Sequence, residues 1–403
     1  MARRSSFDLG AAVRLEDLER DPHPTLARLR EREPVSWIPA LDGWLITAYE
    51  PAIRVMRDPE TFTVDDPGFS TAQVVGPSML SLDGAEHVRH RAPFAAPFRP
   101  AAVRRRFAEE VECEADRLID GFAADGSAEL RRAFAGPLAA AGVTRLLGLE
   151  RSEVPSVLDW YDAIVAAVTS ITAGGSVPVS GTRAFQALRA RLEPVIDAGE
   201  PSSLLAAAAV GSSLSPAEIV SNAAVLLFGG IETTEGMISN AILHLLGHRT
   251  ESAAERTTAE PLEAVIEESL RLEPAAAVVD RYAAGDVELA GAEIKRGELV
   301  RVSIAAANRD PGVFPDPDRF DPHRFDRDLS RPDSNRRPTH RRHIAFAHGP
   351  HVCLGVHLAR LEARIALARL LARLPRLRLD PDRPSQISGL VFRKPPALHV
   401  VWS

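Results

Sequence analysis

Cysteine is nearly missing from this 403-residue chain: there are two, Cys113 and Cys353. Two thiols exclude a disulfide framework and point to a reducing compartment, so each has to be explained separately. Long apolar runs are missing as well. The longest, residues 223–231, falls well short of the roughly 18 residues of a membrane span, and Arg14, Glu16, Asp17 and Glu19 interrupt the N-terminal stretch where a secretory signal would be apolar. A cytoplasmic protein with no membrane partner is expected. Positive charge is not in excess: 48 basic against 55 acidic residues leave −7, which argues against nucleic-acid binding. Lysine occurs only as Lys295 and Lys394, so nearly every basic residue is arginine; with so much alanine, this bias fits GC-rich bacterial coding better than phosphate recognition. No Gly/Ser linker, charge block or internal repeat divides the chain, and a single domain over 1–403 is expected.

What remains, 45% hydrophobic and 26% charged residues, is the composition of an ordinary globular protein. Apolar stripes at three and four spacing predict helices over 24–32, 101–122, 152–173, 182–198, 216–247, 261–272 and 354–374. Strand patterns are fewer, at 35–47, 286–302 and 387–402. A mainly α fold with a smaller β part follows. Between 308 and 343 lies a long stretch rich in Pro, Asp and Arg with almost no periodicity; compact domains keep such segments when they serve a purpose.

The helix over 216–247 has Ser215 as N-cap, Pro216 at its first position, Glu218 completing a capping box and Gly247 as its stop. At about 1.5 Å per residue it would cross the whole domain. Its centre reads Phe228, Gly229, Gly230, Ile231, Glu232, Thr233, Thr234, which places two helix-weakening glycines and an acid where a core helix should be aliphatic. Paired glycines let a flat ligand approach the backbone, and a Thr hydroxyl can bond back to a carbonyl and loosen the turn. The blander reading is a kink with a solvated glutamate.

Around the second cysteine the chain reads Phe346, Ala347, His348, Gly349, Pro350, His351, Val352, Cys353, Leu354, Gly355. A Gly/Pro turn delivers the thiol to the start of an amphipathic helix, where unpaired N–H groups and the dipole favour a thiolate. Zinc would need further Cys or His at close spacing, and only His351 approaches. A Cys/His protease would need a partnered base and an oxyanion site, and no such pattern is present. One axial thiolate on a heme iron needs no second protein ligand.

Phe346, Gly349, His351, Cys353 and Gly355 resemble the heme-binding loop of the cytochrome P450 family. Other segments match that family in the same order. Leu82, Asp83, Glu86, His87 and Arg91 resemble its propionate-contacting segment, Gly230, Glu232 and Thr233 its oxygen-activating groove, and Glu268 to Arg271 its Glu-x-x-Arg. Residues 307–311 with 320–325 resemble its meander. Ala347 and Ala85 depart from the pattern, standing where glycine and proline are frequent; a methyl at 347 bears on the heme potential. The resemblance implies a P450-like fold with a long central helix over the heme and a proximal helix after the cysteine loop. It also implies heme b with Cys353 as axial ligand, and propionate contacts from His87, Arg91, Arg281 and His351. Proton delivery would fall to Glu232 and Thr233, and Arg324 would join Glu268 and Arg271 in a buried charge network.

The same resemblance implies a monomeric bacterial monooxygenase that hydroxylates or epoxidises an apolar small molecule, such as a secondary-metabolite intermediate. With no flavin or nicotinamide domain, NAD(P)H would act only through a separate reductase and a ferredoxin or flavodoxin. Arg336, Arg337, Arg341 and Arg342, with Arg331, His340 and His343, form a basic cluster for such a partner to dock on. Phe69, Val74 and Met79 from the 62–79 loop, with Leu226, Leu227, Ala276, Val278 and Val279, would line the substrate pocket. Two other readings stay open: the same oxidant used for dehydrogenation or C–C/C–O coupling, and a non-catalytic heme-thiolate sensor or carrier, against which the Glu232/Thr233 pair argues.

Overall fold

A computed structural model describes residues 7–172, 175–199, 203–210, 212–251, 261–325 and 343–402. The chain opens with α1 (Asp8–Ala11), α2 (Leu15–Arg20) and α3 (His23–Arg32), then β1 (Val35–Ile38), β2 (Gly43–Ile46), α4 (Tyr49–Arg57) and β3 (Phe62–Thr63). A helical stretch follows: α5 (Ser70–Val75), α6 (Gly84–Ala95), α7 (Pro100–Asp120), then β4 (Ser127–Glu129), a π-helical turn Arg131–Ala135 and α8 (Gly136–Leu146). Next come α9 (Val154–Thr172), α10 (Val179–Ala198), α11 (Leu204–Val210), α12 (Pro216–Glu251) and α13 (Leu262–Leu272). The C-terminal third holds β5 (Val278–Ala283), β6 (Val287–Leu289), β7 (Ala292–Ile294), β8 (Leu299–Ser303), α14 (Ile304–Ala307), α15 (Val356–Arg373), β9 (Arg378–Leu379) and β10 (His399–Val401).

This is the expected mainly α fold with a smaller β part. The main sheet runs β1-β2-β8-β5-β3, with β2 and β8 parallel and the other pairs antiparallel. Its apolar faces form a core with Trp37, Trp44, Phe62 and Val300, distinct from the larger helical core around Phe107, Phe134, Leu188 and Ile238. Helix α12 runs through that helical core and packs on α8, α13 and α15. Its start is the expected capping box: Ser215 N–H donates to Glu218 Oε2 at 2.7 Å, and Glu218 N–H to Ser215 Oγ at 3.3 Å. Gly247 does not end it. The helix continues to Glu251, because an interior glycine costs only about 1 kcal/mol against alanine and stops nothing by itself.

Among the described residues, 151–172 is the one helical segment long and apolar enough to cross a membrane. Here Val157, Tyr161, Ile164, Ala167 and Val168 bury one face against the helical core.

Glu268, Arg271 and Arg324 meet. Arg271 and Glu268 are wholly buried and paired at 2.9 and 2.8 Å, and Arg324 Nε donates to both Glu268 oxygens at 3.0 and 3.2 Å. Arg271 also donates to the carbonyls of Asn308, Pro317 and Arg319. The irregular chain after α14 is therefore fastened by a buried ion pair whose spare N–H groups all end on carbonyls, which makes its burial affordable. Glu268→Ala would leave Arg271 buried without its counter-charge. The expected cost is about 3–5 kcal/mol, read as a loss of folded protein in denaturant unfolding, with Arg271→Lys falling in between; a loss under 1 kcal/mol would contradict this role.

Candidate active site

A cavity of about 330 Å³ lies between the middle of α12 and the Cys353 loop, closed by α5, α9, β5 and the C-terminal segment. Two features of α12 open it. Thr233 Oγ1 donates to the Gly229 carbonyl at 2.6 Å, the back-bond expected to loosen this turn. Gly229 faces open space. Gly230 serves differently from the expectation: a Cβ there would lie 2.5 Å from Val143 Cγ2, so its small size is needed for α12 to close on α8, although it also borders the cavity.

Cys353 opens into the cavity. Its N–H donates to the Phe346 carbonyl at 2.9 Å, closing the loop, while the Arg360 guanidinium lies 4.6 Å over the Phe346 ring. Gly349 has φ +75, and a Cβ there would approach Met56 O to 2.4 Å, so only glycine lets the loop seat on α4. Ala347, where the family pattern has glycine, takes φ +60, a conformation that costs an L-residue roughly 1–2 kcal/mol. The helix after the loop starts later than expected, at Val356 with Gly355 as its N-cap. Cys353 therefore precedes it, and burial pushes the thiol up from its ordinary value, opposed by the Gly355 N–H, Arg91 and Arg360. The expected lowering by the helix end is outweighed; in this apolar setting a thiolate needs a cationic partner such as a metal ion.

At the cavity edge the chain gathers Arg91, Arg281, His87 and His351, with few anions. Arg281 is almost wholly buried, its guanidinium bonded to the Asp280 carbonyl while the Asp280 carboxylate pairs with Arg301. The His87 ring lies 4.3 Å from that of His351 and is tilted 44° to it; its Nε2 has no hydrogen-bond partner, and burial pushes its pKa down to about 4. His351 bonds Asp83 at 2.7 Å. Arg91 donates to the Val352 carbonyl at 2.6 Å, tying α6 to the cysteine loop rather than only facing a ligand. An orphaned buried donor beside buried arginines is costly. Two ligand carboxylates would relieve it, and the two propionates of heme fit.

Three expected residues lie elsewhere. Val74 and Leu227 belong to the helical core, not the wall: Leu226, about 100° round the helix from Leu227, takes the cavity-facing position on α12, and Ser70 and Thr71 take it on α5. Phe69, Met79, Leu226, Ala276, Val278 and Val279 do line it. Glu232 is buried off the wall, where Tyr161 Oη donates to it and Lys394 Nζ pairs with it at 2.7 Å. Thr233 borders the cavity, so the two members of the expected relay face different surroundings. Arg331, Arg336, Arg337, His340, Arg341 and Arg342 lie outside the described residues; His343 is described, buried and bonded to Glu267 at 3.1 Å.

Pattern reading missed the walls supplied by Val168 and Thr172 of α9 and by Val391 and Phe392, because single apolar residues carry no site signal. It also missed Glu362 on α15, nine residues past the cysteine. Wholly buried and pressed against Gly142, it borders the cavity, and burial alone pushes its pKa up to about 8.

The site and fold together define a heme-thiolate oxidoreductase. Residues 247–401 match the family model described as Cytochrome P450. The chain is 34% identical to cytochrome P450 monooxygenase PikC of Streptomyces venezuelae, over 98% of this chain and 94% of that one. It is also 34% identical to mycinamicin IV hydroxylase/epoxidase of Micromonospora griseorubida, over 93% and 94%. The crystal structure of P450BioI bound to an acylated acyl carrier protein superposes with a TM-score of 0.81 at 26% identity, over 96% of this chain and all of that one. The chain belongs to the cytochrome P450 family, whose cofactor is heme held by a cysteine thiolate.

Glu362 supplies a pH test. Below about pH 4.5 both folded and unfolded chains hold its proton; between that value and about 8 only the folded chain does, so its contribution to stability is lost as pH rises. Glu362→Gln should therefore gain on the parent by up to about 1.4 kcal/mol per pH unit across this window. Thermal midpoints of both proteins from pH 5.5 to 8.5 would show the gap widening; a constant gap would refute the assignment.

Proposed function

We propose that this protein is a dioxygen-dependent monooxygenase that hydroxylates or epoxidises an uncharged, mostly apolar small molecule, with electrons from a separate ferredoxin or flavodoxin. The observation that carries this is one cavity bounded on one side by Cys353 and on another by the loosened Gly229–Thr233 turn, with buried Arg281 and an unpartnered His87 ring nitrogen at its edge. When bound, heme supplies an iron centre able to activate dioxygen for insertion of one oxygen atom into a C–H or C=C bond.

The chain's residues divide the remaining tasks. Cys353 Sγ, placed by the Phe346 carbonyl bond and the left-handed Gly349, would hold the heme iron. His87 Nε2, Arg281 and the free N–H groups of Arg91 and His351 would receive the propionates by charge-assisted bonds. Thr233 Oγ1 donates a hydrogen bond to the Gly229 carbonyl and keeps its lone pairs free to accept one; by turning its O–H towards the cavity it would release its own proton there as it takes another from an internal donor. Glu232, the preceding residue of α12, is the acid assigned to that supply. Walls such as Phe69, Leu226, Ala276 and Phe392 exclude water and favour an apolar guest. The relatives named for a monooxygenase and for a mycinamicin hydroxylase/epoxidase support this reaction class and a place in secondary metabolism.

A reduced carbon monoxide difference spectrum tests the heme assignment: the thiolate band is expected in the parent and in Cys113→Ser, and absent in Cys353→Ser. Thr233→Ala should keep the band and the affinity for spin-shifting ligands while product per NAD(P)H falls at least tenfold, proton transfer by a placed group being worth about 10²–10⁴. Product carrying no label from ¹⁸O₂ would favour dehydrogenation or coupling over insertion. For the partner, charge reversal of Arg341 and Arg342 is expected to slow reduction by a ferredoxin severalfold at low salt without changing ligand affinity. Equal reduction rates would remove that docking site.

A further inference from the structure

Lysine is the scarcest charged residue in this sequence, and one of its two copies is buried beside α12. Lys394 Nζ reaches Glu232 Oε1 at 2.7 Å and also pairs with Glu235, while Arg131 Nε reaches the other Glu235 oxygen at 3.1 Å. Tyr161 Oη donates to Glu232 and lies 3.5 Å from Lys394 Nζ. Two carboxylates and two cations thus cancel in a closed group, with Glu232 facing its partners rather than the cavity.

Both partners of Glu232 ride on cavity walls. Tyr161 belongs to α9, which presents Val168 and Thr172 to the cavity two turns and more farther on. Lys394 ends a tight turn closed by Ser388 N–H to Lys394 O and Lys394 N–H to Ser388 O, and that turn presents Val391 and Phe392 to the cavity. Phe392 meets Phe228 of α12 edge to face, with ring centroids 5.4 Å apart, one helical turn before Glu232. A guest that presses on either wall pulls on one end of the clamp.

We propose that Tyr161 and Lys394 are positioning residues: they hold the Glu232 carboxylate away from Thr233 while the cavity is empty, and occupancy of the cavity releases it to take up protons that originate in solvent and pass them to Thr233. The inference rests on the oxygen-activating reading above and adds the condition under which that activity is switched on. An empty cavity would then consume few electrons, since the proton donor is withdrawn. No single element would do this alone, because the hold comes from two walls at once.

The test uses the heme-loaded enzyme with clotrimazole, an azole that ligates iron and fills an apolar cavity with three aryl rings. Infrared difference spectra on adding clotrimazole to the ferric parent should show a carboxylate band shift that is missing in Glu232→Gln. In Tyr161→Phe, which keeps all four charges and is the variant expected to fold normally, the shift should shrink at least twofold because the acid is already partly free. In a second arm, NADPH consumption without substrate, driven by a ferredoxin and its reductase, should rise about three- to tenfold in Tyr161→Phe. It should return to the parent rate in Tyr161→Phe/Glu232→Gln, a reversal that a merely structural tyrosine would not give. An unmoved carboxylate band in the parent, or equal substrate-free consumption in parent and Tyr161→Phe, overturns the clamp. A normal infrared shift with no NADPH consumption in any variant supports the clamp and overturns the oxygen-activating reading.

Discussion

The site depends on one sulfur atom being held still in a place that disfavours its charge. Burial raises the Cys353 thiol, and the surrounding N–H group and arginines oppose but do not cancel that effect. A loop that carries such a group has to be fixed by other means. The Cys353–Phe346 bond, the Arg91–Val352 bond and the left-handed Gly349 against α4 fix it from three sides. The Glu268–Arg271–Arg324 network fastens the irregular chain that follows α14. Ile344, just ahead of the loop, is in turn bonded to the Asn308 side chain.

Charge is buried here in two different ways. Glu268 with Arg271, and Glu273 with Arg309 and Arg393, are closed sets in which each carboxylate meets arginines whose other N–H groups reach carbonyls or a further carboxylate, although His23, which also bonds Glu273, keeps a buried Nδ1 without a partner. Such sets fasten elements far apart in sequence, and breaking one member strands the rest. The group at the cavity edge is open: His87 lacks a partner, and Arg281 has only a backbone carbonyl within its own strand. An open set is tolerable in a folded protein when a ligand completes it, which is why this group indicates a binding site and the others indicate structure.

The sequence made the scaffold readable wherever a local rule had a local cause. Ser215, Pro216 and Glu218 announced the start of α12, and the apolar stripes of α7, α9, α10, α13 and α15 fell within a few residues of the observed helices. Shorter helices such as α8 and α11 escaped, since Ala-rich segments buried on most sides show no clear stripe. The cavity was legible only where a motif marked it. Thr233, Gly349 and Cys353 break local rules and could be found; Val168, Phe392 and Glu362 obey them and could not, because their importance comes from what the fold brings beside them. Glu232 shows the limit of motif reading. Adjacency to Thr233 along the chain suggested a shared surface, yet successive helical residues point about 100° apart, and two distant segments claim the acid.

The same geometry explains why the cavity wall is built from pieces that differ so much in regularity. The α12 and Cys353 side is held by helix packing and dense backbone bonding, as positioning of reacting groups requires. The opposite side is assembled from α5, α9 and the 388–394 turn. Of these, α9 buries only one face, whereas the turn is tied down by backbone bonds to Glu19, Ala275 and Ala277, by Asn240 and by the Arg393–Glu273 pair. Segments with fewer fixed contacts open at lower cost, so of that side α9 is the part a guest would displace at least cost. Rigidity under the reacting centre and compliance over it are thus set by where the buried hydrogen bonds are concentrated.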